Sequence, residues 1–273
     1  MSIHITPSST YVVPEILYNQ REIIFSLLTE AGEAIMSYYN AESKVEIKYK
    51  QDNTPVTDAD LAANKIITEG LIKYFPDFQL ISEESEIQPN QVRKNSEYIW
   101  LIDPLDGTKE FLNKTDEFSI NVALIQNRRP VAGFIYLPVF KKLYYAFKGT
   151  GSFEYTENGP IQLKCSTFSL DQEGLRVVIS RNHTDPLTIG EIERLRNSKK
   201  IILGSALKFI SIAKGEADYY PRMIHIMEWD TAAGQIIIEE AGGSIEDALT
   251  GKPLEYNKQS LVNPFFIASG KII

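Results

Sequence analysis

The chain has 273 residues, 43% of them hydrophobic and 23% charged, which suits an enzyme that buries a sizeable core in one large domain or two closely packed ones. No stretch reaches the ~18 uninterrupted apolar residues of a membrane span, and the N-terminus lacks the basic and apolar regions of a secretory leader, so no integral membrane segment is predicted and a cytoplasmic location is expected, with peripheral attachment at the inner membrane left open. A formal charge of -8 argues against a protein that coats nucleic acid, and a single cysteine, Cys165, excludes an internal disulfide and reads as a buried bystander.

In chain order, spacings of three and four between Ile16, Ile23, Ile24, Leu27, Leu28, Ala31 and Ile35 predict an amphipathic helix over 15–40. Residues 44–50 alternate apolar and charged as a half-exposed strand does, and 51–54 read as a turn. A second helix is predicted over 58–74 and stops at Phe75-Pro76; a short strand over 78–82 then runs into Glu83 and Glu84. Residues 98–102 form an aromatic and branched apolar run that breaks at Asp103-Pro104, the pattern of a buried strand ending in a polar turn. Antiparallel hairpins are predicted over 118–147, and 148–159 turn glycine-rich and polar. From there strands at 176–180, 200–203, 217–221 and 244–247 alternate with helices at 186–198, 206–214 and 231–241. Such alternation predicts a layered α/β half with a partly parallel sheet, so the chain divides into an N-terminal α+β half, 1–150, and a C-terminal α/β half, 151–273.

The most informative stretch is Asp103-Pro-Leu-Asp106-Gly-Thr108, where a buried strand delivers two aspartates across a proline-fixed turn toward one point. Hard divalent cations such as Mg²⁺ take oxygen ligands, usually a few carboxylates together with substrate phosphate. The same turn exposes the Leu105 carbonyl, and Gly107 and Thr108 open a helix whose free N–H groups attract phosphate. Read singly, Asp-Pro and Asp-Gly only punctuate a turn, Glu83 is a solvated charge and Asp230 is a helix N-cap. Together they supply enough acids for a multi-metal site.

The stretch from Asp103 to Thr108 and Trp229-Asp230-Thr-Ala-Ala-Gly234 resemble the two signatures of the inositol monophosphatase superfamily, magnesium-dependent and lithium-sensitive phosphatases. The likeness runs from about Ile23 to Phe266 and includes the Glu83-Glu84 pair and Pro55-Val-Thr-Asp58-Ala-Asp60. It implies a layered αβαβα sugar-phosphatase fold, mixing α+β and α/β halves, with the site in the cleft between them. It also implies two to three Mg²⁺ ions: one on Glu83, Asp103 and the Leu105 carbonyl, a second on Asp103, Asp106 and Asp230, and a weaker third near Glu83 and Asp60, with Asp58 as a helix-start residue.

Within that superfamily, residues 50–57, 106–111, 179–183, 204–209 and 215–222 are similar to CysQ-type 3'(2'),5'-bisphosphate nucleotidases. The implied reaction is hydrolysis of adenosine 3',5'-bisphosphate to AMP and phosphate, in sulfur assimilation and turnover of that nucleotide; an inositol or other sugar-phosphate phosphatase is the alternative. The implied substrate contacts are Asp106, Gly107, Thr108, Ser205, Asp230 and, for a second anionic group, Lys208, Arg222, Arg181 and His183. Asp60 and Thr108 are expected to position or deprotonate the attacking water, with Glu83 as the alternative base, while His225 is expected to be structural. The expected partner is the small-molecule substrate alone, with no nucleic acid, and the chain is a monomer or a homodimer.

Overall fold

A computed structural model describes residues 15–41, 47–49, 55–86, 93–181 and 185–273. The first predicted helix is two: α1 (Glu15–Asn19) and α2 (Arg21–Tyr39), separated by a turn at Gln20 whose N–H returns to the Leu17 carbonyl. Ile24, Phe25, Leu28, Ala31 and Ile35 form the buried stripe of α2, which packs beside α3 (Asp58–Tyr74). Between them lies a small antiparallel pair, β1 (Ile47–Tyr49) and β2 (Pro55–Thr57).

A seven-stranded sheet follows in simple order: β3 (Gln79–Ser82), β4 (Tyr98–Asp106), β5 (Ser119–Gln126), β6 (Arg129–Leu137), β7 (Lys142–Phe147), β8 (Gly151–Tyr155) and β9 (Ile161–Gln162). β3 and β4 run parallel, and every other neighbouring pair is antiparallel. The glycine-rich stretch after Lys148 therefore carries two more strands. Gly149 and Gly151, both at positive φ, make the tight turn into β8, and the same glycines obscure the strand pattern in the sequence.

Strand alternation sends Trp100, Ile102, Val122 and Leu124 to the face covered by α2 and α3. Ile99, Leu101, Ala123 and Ile125 point to the opposite face, against α7 (Glu228–Glu240). Gly133 of β6 permits that close approach, since a Cβ there would lie 2.4 Å from Ile236 of α7. Beyond α7 and α6 (Leu207–Ala213) lies a five-stranded sheet ordered β12-β11-β13-β15-β14. Its strands are β11 (Arg176–Ser180), β12 (Lys199–Leu203), β13 (Tyr219–Arg222), β14 (Ser244–Asp247) and β15 (Phe266–Ser269). β11 is parallel to both β12 and β13, whereas β15 is antiparallel to β13 and β14, so the sheet is partly parallel as the alternation predicts.

Helix α5 (Pro186–Glu193) packs on the outer face of that sheet and ends five residues short of its predicted end, with Asn197 in the left-handed region. A last parallel pair joins β10 (Thr167–Phe168) to β16 (Lys271–Ile272). The layers thus run helix, sheet, helix, sheet, helix, the αβαβα order that the resemblance implies. Among the described residues no helix is long and apolar enough to cross a membrane.

Candidate active site

Parallel pairing of β3 with β4 sets Ser82 beside Ile102, and the Glu83 N–H donates to the Ile102 carbonyl, so Glu83 emerges next to Asp103. On the other side of β4 the register with β5 shifts by one residue: Asp103 faces Asn121, but Asp106 faces Ser119. This bulge contains Pro104 and Leu105 and turns both aspartates toward one cavity. Asp230 comes from the opposite direction, in the first turn of α7, where its Oδ2 accepts the Met227 N–H at 2.8 Å. The sequence places this aspartate at the N-cap; the helix begins three residues earlier than predicted, because an acid at the third helical position satisfies a free N–H just as a cap does.

The cavity, about 260 Å³, is lined by Glu83, Asp103, Leu105, Asp106, Gly107, Thr108, Ser205, Lys208, Arg222 and Asp230, all expected from the sequence. One carboxylate oxygen from each of Glu83, Asp103 and Asp230 lies within 4.8 Å of the others. Burial, then repulsion from Glu83, Asp106 and Asp230, holds the Asp103 carboxyl well above the usual carboxylate range. Burial followed by Asp106 and Glu83 does the same to Asp230. Converging, mutually repelling acids beside a backbone carbonyl form an all-oxygen donor set, which fits a hard divalent cation.

Asp60 sits behind this wall in the first turn of α3. Its Oδ2 accepts from both the N–H (2.8 Å) and the hydroxyl (2.5 Å) of Thr57, leaving Oδ1 to the Thr108 hydroxyl at 3.2 Å. Burial raises the Asp60 carboxyl despite these three bonds. Asp58, the first residue of α3, matches its expected helix-start place. Gly107 precedes α4 (Thr108–Leu112) at φ +92, where a Cβ would meet the Glu117 carbonyl at 3.1 Å. With only five residues, α4 offers a phosphate its free N–H groups rather than a substantial dipole.

Ser205 hydrogen-bonds inward. Its hydroxyl donates to Asp106 Oδ2 at 2.6 Å and lies 2.7 Å from the buried Ser119 hydroxyl, while Asn121 donates to the same Asp106 oxygen at 3.3 Å. Lys208 and Arg222 form the opposite wall, only 8% and 7% exposed. Burial pushes the Lys208 amine down to about 8 against the pull of nearby Asp106. Arg181 stands outside the cavity lining and makes a two-pronged ion pair with Glu117, at 3.0 and 2.8 Å, and Glu117 also accepts the Gly204 N–H. His183 lies outside the described residues. The His225 Nδ1 is 2.7 Å from the Asn263 carbonyl, and its ring stacks on Phe265, a structural placement as expected. The buried Cys165 thiol is pushed up to about 12 by burial and is inert at neutral pH.

Sequence reasoning missed Lys109, Glu110, Ser180, Phe209, Tyr220 and Ile226, which also line the cavity. All but Ile226 lie within two positions of an expected residue, so neighbourhood is the one signal that could have found them; the apolar ones otherwise read as core.

Residues 19–270 match the inositol monophosphatase family. The 3'(2'),5'-bisphosphate nucleotidase CysQ of Salmonella typhimurium is 40% identical over 247 residues, covering 90% of this chain and 97% of its own. CysQ of Escherichia coli strain K12 is 38% identical over 249 residues, covering 90% and 98%. The crystal structure of CysQ from Bacteroides thetaiotaomicron aligns with a TM-score of 0.81 at 35% identity over 93% of this chain and 99% of its own. The match extends over nearly the whole chain and takes in every residue of the acidic wall, so the chain belongs to the inositol monophosphatase family.

Proposed function

We propose that this chain is a Mg²⁺-dependent 3'(2'),5'-bisphosphate nucleotidase that hydrolyses adenosine 3',5'-bisphosphate to AMP and phosphate. The observation that carries this reading is the pair of nearly buried cations, Lys208 and Arg222, sharing one small cavity with the acidic cluster. A substrate with two phosphates fits both walls: one phosphate faces the carboxylates and their cations, and the other meets Lys208 and Arg222. A sugar monophosphate has no second phosphate to offer those two cations. The reading agrees with the activity named for the relatives that align over 90% of the chain.

Glu83, Asp103 and the Leu105 carbonyl would hold one Mg²⁺, Asp103, Asp106 and Asp230 a second, and Glu83 with Asp60 a weaker third. Bound there, the cations neutralise phosphoryl oxygens and lower the pKa of water. The chain itself supplies the proton path. Thr108 donates to Asp60 Oδ1, so its oxygen is left free to accept from water and relay that proton to the carboxylate. Glu83 is the alternative base. Thr57 fixes the other Asp60 oxygen, which keeps the relay aimed in one direction. Gly107 and Thr108 offer N–H groups to the departing phosphate, and Ser205 acts on substrate through Asp106. Arg181 can meet substrate once it leaves Glu117. In this reading residues 1–150 supply most metal ligands and 151–273 supply Asp230 and the basic wall. No step requires a second chain, so monomer and homodimer serve equally.

Phosphate release from adenosine 3',5'-bisphosphate and from inositol 1-phosphate, with Mg²⁺ and then with added Li⁺, tests the proposal. Strong preference for the nucleotide with Li⁺ inhibition is the expected result. Preference for inositol phosphate would transfer the assignment to the sugar-phosphate alternative, and no Mg²⁺-dependent release from either would overturn catalysis.

A further inference from the structure

The acid just before the motif tryptophan takes no part in the reaction as described. Glu228, the first residue of α7, is 0% exposed and does not line the cavity. Its Oε2 accepts the Asn257 N–H at 2.5 Å, and its Oε1 accepts the Lys258 N–H at 3.1 Å and the Lys258 ammonium at 2.5 Å. A carboxylate this deep is tolerated only when donors fill its lone pairs, and two amides and one cation do so here.

The same segment binds the turn on both sides of Asp230. Asn263, 1% exposed, donates from Nδ2 to the Met227 carbonyl at 3.0 Å and to the Thr231 hydroxyl at 2.8 Å. The Glu228 N–H donates to the Leu261 carbonyl, and the Asn263 N–H to the Ile226 carbonyl. Arg93, just upstream of β4, donates to the Asn257 side chain at 2.9 Å, so the segment is also tied toward the strand that supplies Asp103. One Asp230 oxygen is already held by Met227, so the other is placed by wherever the first turn of α7 sits.

We infer that Glu228 is a positioning residue: it anchors the first turn of α7 to residues 257–263 and thereby sets the Asp230 carboxylate at the spacing from Glu83 and Asp103 that divalent-cation binding needs. The inference rests on Asp230 being a metal ligand. Partners that orient ligands commonly change metal affinity or activity about 10-fold to 100-fold when removed.

The test is calorimetric titration of Mn²⁺ into the metal-free full chain, with circular dichroism, melting temperature and turnover of adenosine 3',5'-bisphosphate measured alongside. Glu228→Gln keeps the shape but puts an amide against donors; Mn²⁺ affinity and kcat are each expected to fall about 10-fold or more, with KM within about twofold because the substrate-facing wall is untouched. Arg129→Met is the control for helix stability: it removes the 2.6 Å pair with Glu239 at the far end of α7. It should lower the melting temperature and leave Mn²⁺ affinity unchanged. Should Glu228→Gln fail to fold, Lys258→Met, at a partly exposed side chain, is expected to give a smaller loss of Mn²⁺ affinity in the same direction. A folded Glu228→Gln, or in its place Lys258→Met, that binds Mn²⁺ like the wild type overturns the inference; so does an equal affinity loss in Arg129→Met. A wild type that binds no Mn²⁺ overturns the metal-site reading and the inference with it.

Discussion

The two walls of the cavity solve opposite electrostatic problems. The acidic wall gathers Glu83, Asp103, Asp106 and Asp230 from two strand ends and a helix start, and hydrogen bonds hold several of them: Leu105 N–H on Asp103, Ser205 on Asp106, Met227 N–H on Asp230. The basic wall places Lys208 on α6 and Arg222 at the end of β13, both nearly buried, with Phe209 and Tyr220 also lining the cavity. Like charges repel within each wall, while opposite charges attract across the cavity, Asp106 and Asp230 acting on Lys208 and Arg222 on Asp230; bound cations would relieve the acids further and a phosphate-rich substrate the basic side chains. The acidic wall should therefore govern whether chemistry occurs, and the basic wall which substrate it occurs on.

The largest test of that division is Asp103→Asn. Activity should fall about 1000-fold or more for every substrate, since this carboxylate faces all the other acids of the wall. The metal-free protein should meanwhile melt no lower, because a buried repelling charge has gone; phosphate release and thermal melts check both halves of the statement. Next is Asp60→Asn, which breaks the proton path and leaves the phosphate contacts in place: kcat should drop about 100-fold with KM little changed, measured by initial rates. Lys208→Met addresses the other wall. The kcat/KM for adenosine 3',5'-bisphosphate should fall about 10-fold to 100-fold while that for inositol 1-phosphate stays within about threefold. An equal loss on both substrates would break the division of labour.

The smallest effect lies away from both walls, at Asp218. Burial raises its carboxyl, but hydrogen bonds from the Arg176 side chain and N–H outweigh that and hold it below the usual carboxylate range. A lowered folded pKa stabilises above the ordinary value of about 4, and that stability is lost as pH falls through the folded value. Melting temperatures between pH 7 and pH 3 should accordingly drop less steeply for Asp218→Asn than for the wild type, starting from a lower value at pH 7.

The acidic wall was legible because its members sit at places that sequence marks: the end of an apolar run, a proline turn, the start of a small-residue helix. The basic wall was legible only through resemblance, because a lysine on an amphipathic helix looks the same whether it faces water or substrate. Arg181 shows the limit. Its partner Glu117 is 64 residues away, and no local pattern announces an ion pair across that distance. Glu228 was hidden differently, since an acid in the first turn of a helix is ordinarily explained by the helix dipole. In the fold, Gln20 separates α1 from α2 without proline or glycine, and the strands after Lys148 hide behind the glycines that turn the chain between them.

The contact at Gly133 bears on how the chain comes apart. With no side chain there, α7 lies close on the seven-stranded sheet, and one continuous buried cluster runs from Ile99 and Leu101 through the helix to Val178, Tyr220 and Phe266 of the other sheet. Neither sheet owns that core, so heating should melt both in a single cooperative transition. A fragment that stops before Glu228 would present one face of the seven-stranded sheet uncovered and adhesive.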